Sequence, residues 1–230
     1  MKRKPALPPP PPRYDEWFHF CFGRFENADP AANEWELIGE CEFDADNTTL
    51  LNLFEATMSR SGTDLVSVSP KALAMGLRVM FYAEPTTICD RLCRAMDLNA
   101  SRTSAITSIA RLYLDCIETR DLPFYQDDLS TAPEHYPFAG HVFMLWDMSP
   151  LHYRSSSHVR ALLLETLGDA LMECRTEGCQ QSLLHGLAHF CDFGHSRRVH
   201  AIVDGFLKWR TDLSFVVRDY AERAATGHIA

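Results

Sequence analysis

"EGCQQSLLHGLAHF", residues 177–190, shows a helical period clearly. Cys179, Leu183, Leu184, Leu187 and Cys191 recur three and four residues apart, the spacing of one helix face. His185 and His189 stand four apart on that helix, with Gly186 between them. The neighbouring stretches show the same period. "SHVRALLLETLGDALME" carries Val159, Leu162, Leu163, Thr166, Leu167 and Leu171. "SRRVHAIVDGFLKW", opened by a Ser196 cap, carries Val199, Ile202, Val203, Phe206 and Leu207. "LSFVVRDYAERAATG" carries Leu213, Val216, Val217, Tyr220 and Ala224, with Gly227 as a fitting helix stop. A helix and its turn take about twenty residues and a pair about forty, the period of HEAT-type repeats.

The helical pattern extends back to Asn47. "NTTLLNLFEATMSR" has Leu50, Leu51, Phe54, Thr57 and Met58 on one stripe. "SPKALAMGLRVMFYAE" starts with Ser69 as N-cap and Pro70 at the first helical position, and aligns Leu73, Leu77, Met80 and Phe81. Pro85 ends it, and Ile88, Leu92, Ala95 and Met96 mark the next helix. "SAITSIARLYLDCIE" gathers Ile106, Ile109, Ala110, Tyr113 and Ile117 on one face. Pro123, Pro133 and Pro137 then break the pattern, which predicts a loop of about twenty residues from Arg120 to Gly140. Loops of that length often have a role. This one bears Asp121, Asp127, Asp128 and Glu134, candidate partner-binding residues. "HVFMLWDM" reads as a buried half-helix stopped by Pro150.

Residues 14–46 have a different rhythm. "EWFHFCFGRF" alternates Phe18, Phe20 and Phe22, and "EWELIGECEF" places Trp35, Leu37, Cys41 and Phe43 on one side. Alternation predicts a small N-terminal β-hairpin, or an aromatic-rich segment lying on a helical body. The expected architecture is mainly α, with HEAT-like stacked helix pairs in an α-solenoid-like array. A single helical-repeat domain is expected over residues 14–230, with the strand pair in 14–46 and helices in 47–230. A disordered proline-rich tail, residues 1–13, precedes it.

That tail, "MKRKPALPPPPPR", has five consecutive prolines where a secretory signal needs an apolar helical segment. It reads as polyproline II, either plain tail or docking peptide for an aromatic groove. A cytoplasmic location is expected. The eight cysteines are then expected to be reduced. The net charge of −9 and pI near 5.5 argue against nucleic acid and anionic membrane surfaces, which call for a positive face. They suit a basic protein partner. No apolar run approaches the roughly 18 residues of a membrane span.

The chain resembles a family of bacterial proteins of about this length that have HEAT-like helices and no established activity. The likeness rests on "ALAMGLRVMF" around Gly76 and Leu77, on "FMLWD" ending in Trp146 and Asp147, on "QQSLLHGLAHF", and on the closing "VHAIVDGFL … VVRDYAERAATGHI". Their order and spacing match over residues 70 to 229. The chain departs at "FMLWD", where the family pattern has a second tryptophan, and in its polyproline tail. The resemblance implies the helical-repeat fold and brings no activity, cofactor or ligand set.

Positions i and i+4 put His185 and His189 on one helix face, the geometry of a zinc pair. A metalloprotease helix needs a glutamate after the first histidine, and Gly186 stands there instead. Cys174, Cys179, Cys191 and His195 lie near in sequence without a two-residue knuckle spacing; a metal set, if there is one, is His185, His189 and Cys191. The preferred reading is a structural clamp of His185, Gly186, His189, Trp146 and Asp147. The glycine admits a neighbouring helix and Asp147 takes a histidine N–H. A Cys191 nucleophile paired with His189 or His195 has no supporting motif, no serine elbow is present, and the glycines form no phosphate loop. The Arg197–Arg198 pair reads as solvated surface, or as a spot for an anion. No catalytic residue and no cofactor is assigned. The expected function is a non-enzymatic protein–protein interaction module, a bacterial immunity protein that binds a toxin through an acidic concave surface. The alternatives are a metal-binding or hydrolytic enzyme centred on His185, His189 and the nearby cysteines, and a structural scaffold.

Overall fold

Helices start where a short polar side chain can take the first free backbone N–H groups. The structure, a computed structural model, describes residues 7, 9–28, 37–39, 42–84, 86–99, 101–125 and 136–229. Helix α1 spans Tyr14–Cys21. Asp46 accepts from the Thr49 amide at 2.7 Å and opens α2, Asn47–Ser59. Ser69 accepts from the Ala72 amide and opens α3, Pro70–Phe81, with Pro70 at the first position as expected. Helix α4 spans Ile88–Leu98 and α5 spans Tyr136–Phe143. Ser156 caps α6, Ser157–Glu173; α7 is Glu177–His189; α8 is Ser196–Trp209; Ser214 caps α9, Phe215–Ala224. Gly227 follows at φ +77°, where a side chain would be strained.

The fold is mainly α, and the described residues contain no strand. The expected N-terminal hairpin is therefore wrong. "YDEWFHFC" is helix α1, and it buries Tyr14, Trp17 and Cys21, three residues at helical spacing. Its aromatic run satisfies both periods, so alternation alone could not choose between them. Packing chooses the helix: the Trp17 indole N–H donates to Thr57 Oγ1 at 3.0 Å, and its ring meets Phe43 edge-on at 5.2 Å. A helix also closes its own backbone hydrogen bonds, whereas a lone two-stranded hairpin is marginal in water. Leu37 and Ile38 form a helical turn; Trp35 and Cys41 lie outside the described residues.

Three further expectations change. Ser196 does not cap α8, since His195 holds the cap position and the Ser196 hydroxyl donates to the Cys191 carbonyl at 3.1 Å. The long loop is shorter than expected, because α5 already begins at Tyr136. Its described part is pinned to α7: Gly178 N–H donates to the Leu122 carbonyl, and the Gln181 amide pairs with both backbone groups of Tyr125. "SAITSIARLYLDCIE" is not one regular helix. Turns Ser104–Thr107 and Ile109–Arg111 widen into a π-helical stretch, Leu112–Ile117. The tail expectation lies partly outside the described residues. Pro9 and Pro11 line a shallow cavity with Asn52, Glu55 and Arg102 on the body.

Helix α7 lies at the centre of the C-terminal half. Every residue from Gly178 to Ala188 is buried, as fits a helix enclosed by α5, α6, α8 and α9. In a solenoid each repeat meets only its neighbours. Among the described residues no helix is long and apolar enough to cross a membrane.

Candidate metal centre

A helix buried all round must pair every polar group it carries. The buried polar residues of α7 are Gln180, Gln181, Ser182 and His185, and each has a partner. Gln180 Nε2 donates to the Cys174 carbonyl at 2.9 Å. The Ser182 hydroxyl donates to the Val142 carbonyl at 2.6 Å and meets the Tyr113 hydroxyl at 3.0 Å. Tyr113 in turn accepts from the Trp146 indole N–H at 2.7 Å. The π-helical stretch aims Tyr113 inward, and this chain of bonds fixes Trp146, hence its neighbour Asp147. Gly186 lets Trp146 lie on α7: a Cβ there would stand 2.6 Å from the indole Cδ1.

Asp147 faces both histidines. His185 Nε2 is 2.7 Å from Oδ2, and His189 Nε2 is 3.2 Å from Oδ1. The second approach is not aligned as a hydrogen bond, and His189 Nε2 is buried with no other partner. His185 Nδ1 lies 2.5 Å from the Tyr220 hydroxyl of α9. A carboxylate only accepts, so the proton of a neutral His185 sits on Nε2, and Tyr220 donates to Nδ1. The His185 side chain is 5% exposed, His189 19% and Asp147 27%, so the cluster runs from the core to the surface. At its outer end His189 joins Ala188, Asp192, Gly227, His228 and Ile229 around an open cavity of about 330 Å³.

Burial alone would raise the Asp147 carboxyl. The His185 hydrogen bond and the approach of His189 outweigh it and hold the group well below the usual carboxylate range. His152, on the helical turn Leu151–Arg154, stacks on His189 with ring centres 4.9 Å apart. Burial first, then the charge of His189, pushes it down to about 4. Its Nδ1 is buried without a hydrogen-bond partner. Burial also pushes the Tyr220 phenol up, with the Asp147 charge adding to it.

One carboxylate oxygen and one nitrogen from each of His185 and His189 lie within 4.8 Å of one another. The two ring centres are 5.0 Å apart. Imidazoles sharing a tetrahedral zinc sit about 5 Å centre to centre, given Zn–N bonds near 2.0–2.1 Å. The spacing of the two rings is thus that of imidazoles sharing an ion. The structure thus brings together His185, Gly186, His189, Trp146 and Asp147. It leaves Cys191 out of the donor set, and His195 packs on Phe190 instead. Cys174 and Cys179 meet Glu118 in a separate cluster. That carboxylate is committed to the start of α7: it accepts from the Arg175 amide at 2.8 Å and from the Thr176 amide and hydroxyl. Asp127, Asp128 and Glu134 lie outside the described residues, and Asp121 stands in a left-handed turn at φ 48°. Sequence reasoning missed His152, which sits in no periodic stripe, and took Tyr220 only as a core residue. No protein family, curated protein or solved structure matches this chain.

Proposed function

We propose that the protein binds a transition-metal dication of the zinc class through Asp147, His185 and His189. The observation that carries this is the convergence of both histidine Nε2 atoms on one carboxylate, with His189 Nε2 buried and unpaired. Two imidazoles and a carboxylate suit zinc, iron or nickel rather than calcium or magnesium, which favour all-oxygen sites. Three protein donors leave a further coordination position. His189 also borders the cavity at Gly227–Ile229, while its Nε2 is buried on the Asp147 side. A second reading keeps the same residues as an ion-free clamp. It is favoured by His185, whose two nitrogens both have partners already.

Elemental analysis of untagged protein after zinc loading and desalting separates the two. The metal reading expects about one equivalent, lost in Asp147→Ala and His189→Ala. No retained ion in the folded wild-type protein leaves the clamp. A protein-binding role is compatible with either. Its support is the net charge of −9 and the two aromatics Trp209 and Phe215, 72% and 82% exposed where α8 meets α9.

A further inference from the structure

We infer that Tyr220 sets the affinity of this centre from outside the coordination sphere, so that ion occupancy and the seating of α9 are coupled. The inference rests on the metal reading above.

With a neutral ring and no ion, the carboxylate can only accept, so His185 Nε2–H donates to Asp147 and Nδ1 is left to accept from the Tyr220 O–H. An ion on Nε2 needs the lone pair there. The ring proton then moves to Nδ1 and donates to the Tyr220 oxygen, and the hydroxyl turns from donor to acceptor, keeping its own proton and swinging it away from the ring. In this exchange the ring carries one proton before and after, and no proton is gained or lost by the pair. A metal-bound histidine commonly gives its other N–H to such a partner, which fixes ring orientation. Phenylalanine in place of Tyr220 leaves Nδ1 unpaired in either state, as a lone pair without the ion and as a buried N–H with it, and a metal-bound histidine that loses its outer partner holds the ion more weakly.

Tyr220 is also the residue through which α9 reaches the cluster. The other buried residues of α9 are Val217, Ala221 and Ala224, all apolar. The Tyr220 ring is held edge-on against Phe124 at 5.7 Å and Phe143 at 6.3 Å. Those contacts survive Tyr220→Phe, so the substitution removes the hydroxyl and little else. Coupling is reciprocal: if the seating of α9 strengthens ion binding, ion binding holds α9 in place by the same factor.

The test is a competition titration of zinc against a chromophoric chelator, on full-length wild type and Tyr220→Phe. Hydrogen exchange of the α9 amides is followed with and without zinc. The expected result is one site in each protein, about 10–100-fold weaker in the variant. Zinc should slow α9 exchange in the wild type by more than in the variant. Wild type that binds zinc while the variant matches it within about twofold overturns the coupling and leaves the metal centre standing. Wild type that takes up no zinc removes the centre and the coupling together. A melt of the zinc-free variant shows whether it is folded, and the affinity ratio is read only between folded proteins.

Discussion

Replacing Gly186 by alanine tests whether the close approach of Trp146 to α7 is built into the fold. The new methyl would stand 2.6–2.8 Å from Cδ1, Cγ and Nε1 of an indole that is fully buried. Trp146 has little freedom to retreat, because its ring meets Phe81 edge-on at 6.1 Å and its N–H is tied to Tyr113. Overpacking of this kind costs about 1–3 kcal/mol. Loosening the Trp146–Tyr113 bond adds about 0.5–1.5 kcal/mol. Alanine recovers about 1 kcal/mol of helix propensity over glycine. The net expectation is a loss of about 0.5–3.5 kcal/mol. At the middle of that range Tm falls by about 6 °C for a chain of this length. Urea unfolding followed by circular dichroism reads the first quantity and a thermal scan the second. An unchanged or raised Tm would refute the argument, since propensity alone would then describe the site. Moving Trp146 also moves Asp147, so zinc affinity should weaken in parallel.

Other outcomes follow from the same contacts. Gly205→Ala, inside α8 with nothing within 4 Å of the new Cβ, should stabilise by up to about 1 kcal/mol in the same urea assay, against the direction of Gly186→Ala. Gly76→Ala would meet the Phe22 ring at 2.1 Å and the Cys21 carbonyl at 2.7 Å, so it should destabilise and detach α1, seen as faster exchange of the α1 amides. Stability should fall as pH drops from 6.5 towards 4. Over that window the unfolded chain protonates His152 while the fold, holding it at about 4, does not. His152→Gln should flatten that slope in zinc-free protein, and an unchanged slope would show that His152 is not its source. Asp147 adds a later loss. Its depressed carboxyl favours the fold above its unfolded value of 3.8, and that contribution disappears as pH falls below it.

Much of the C-terminal half was legible because one period ran through it. Leu183, Leu184 and Leu187 are buried, as their spacing requires, and Ser69 and Pro70 marked the start of α3. The N-terminal aromatics were not legible. When Trp17, Phe18, Phe20 and Phe22 are all apolar, period two and period three to four fit equally, and only the Thr57 and Phe43 contacts separate them. The pairing of His185 with Asp147 could be guessed from Gly186 and the "WD" element, because a bare helix position invites a bulky neighbour. Tyr220 and His152 could not be found that way. Their roles depend on which atoms meet across 35 and 37 residues of chain, and neither breaks its local pattern in a way that betrays a polar contact.

X-ray absorption at the zinc edge of the loaded protein identifies the donor atoms themselves. The expected result is a shell of nitrogen and oxygen at about 2.0–2.1 Å, with the outer-shell scattering of two imidazoles and no sulfur. A sulfur shell near 2.3 Å would place the ion at Cys174 and Cys179 instead, and a protein that cannot be loaded would leave Asp147, His185 and His189 as an ion-free clamp.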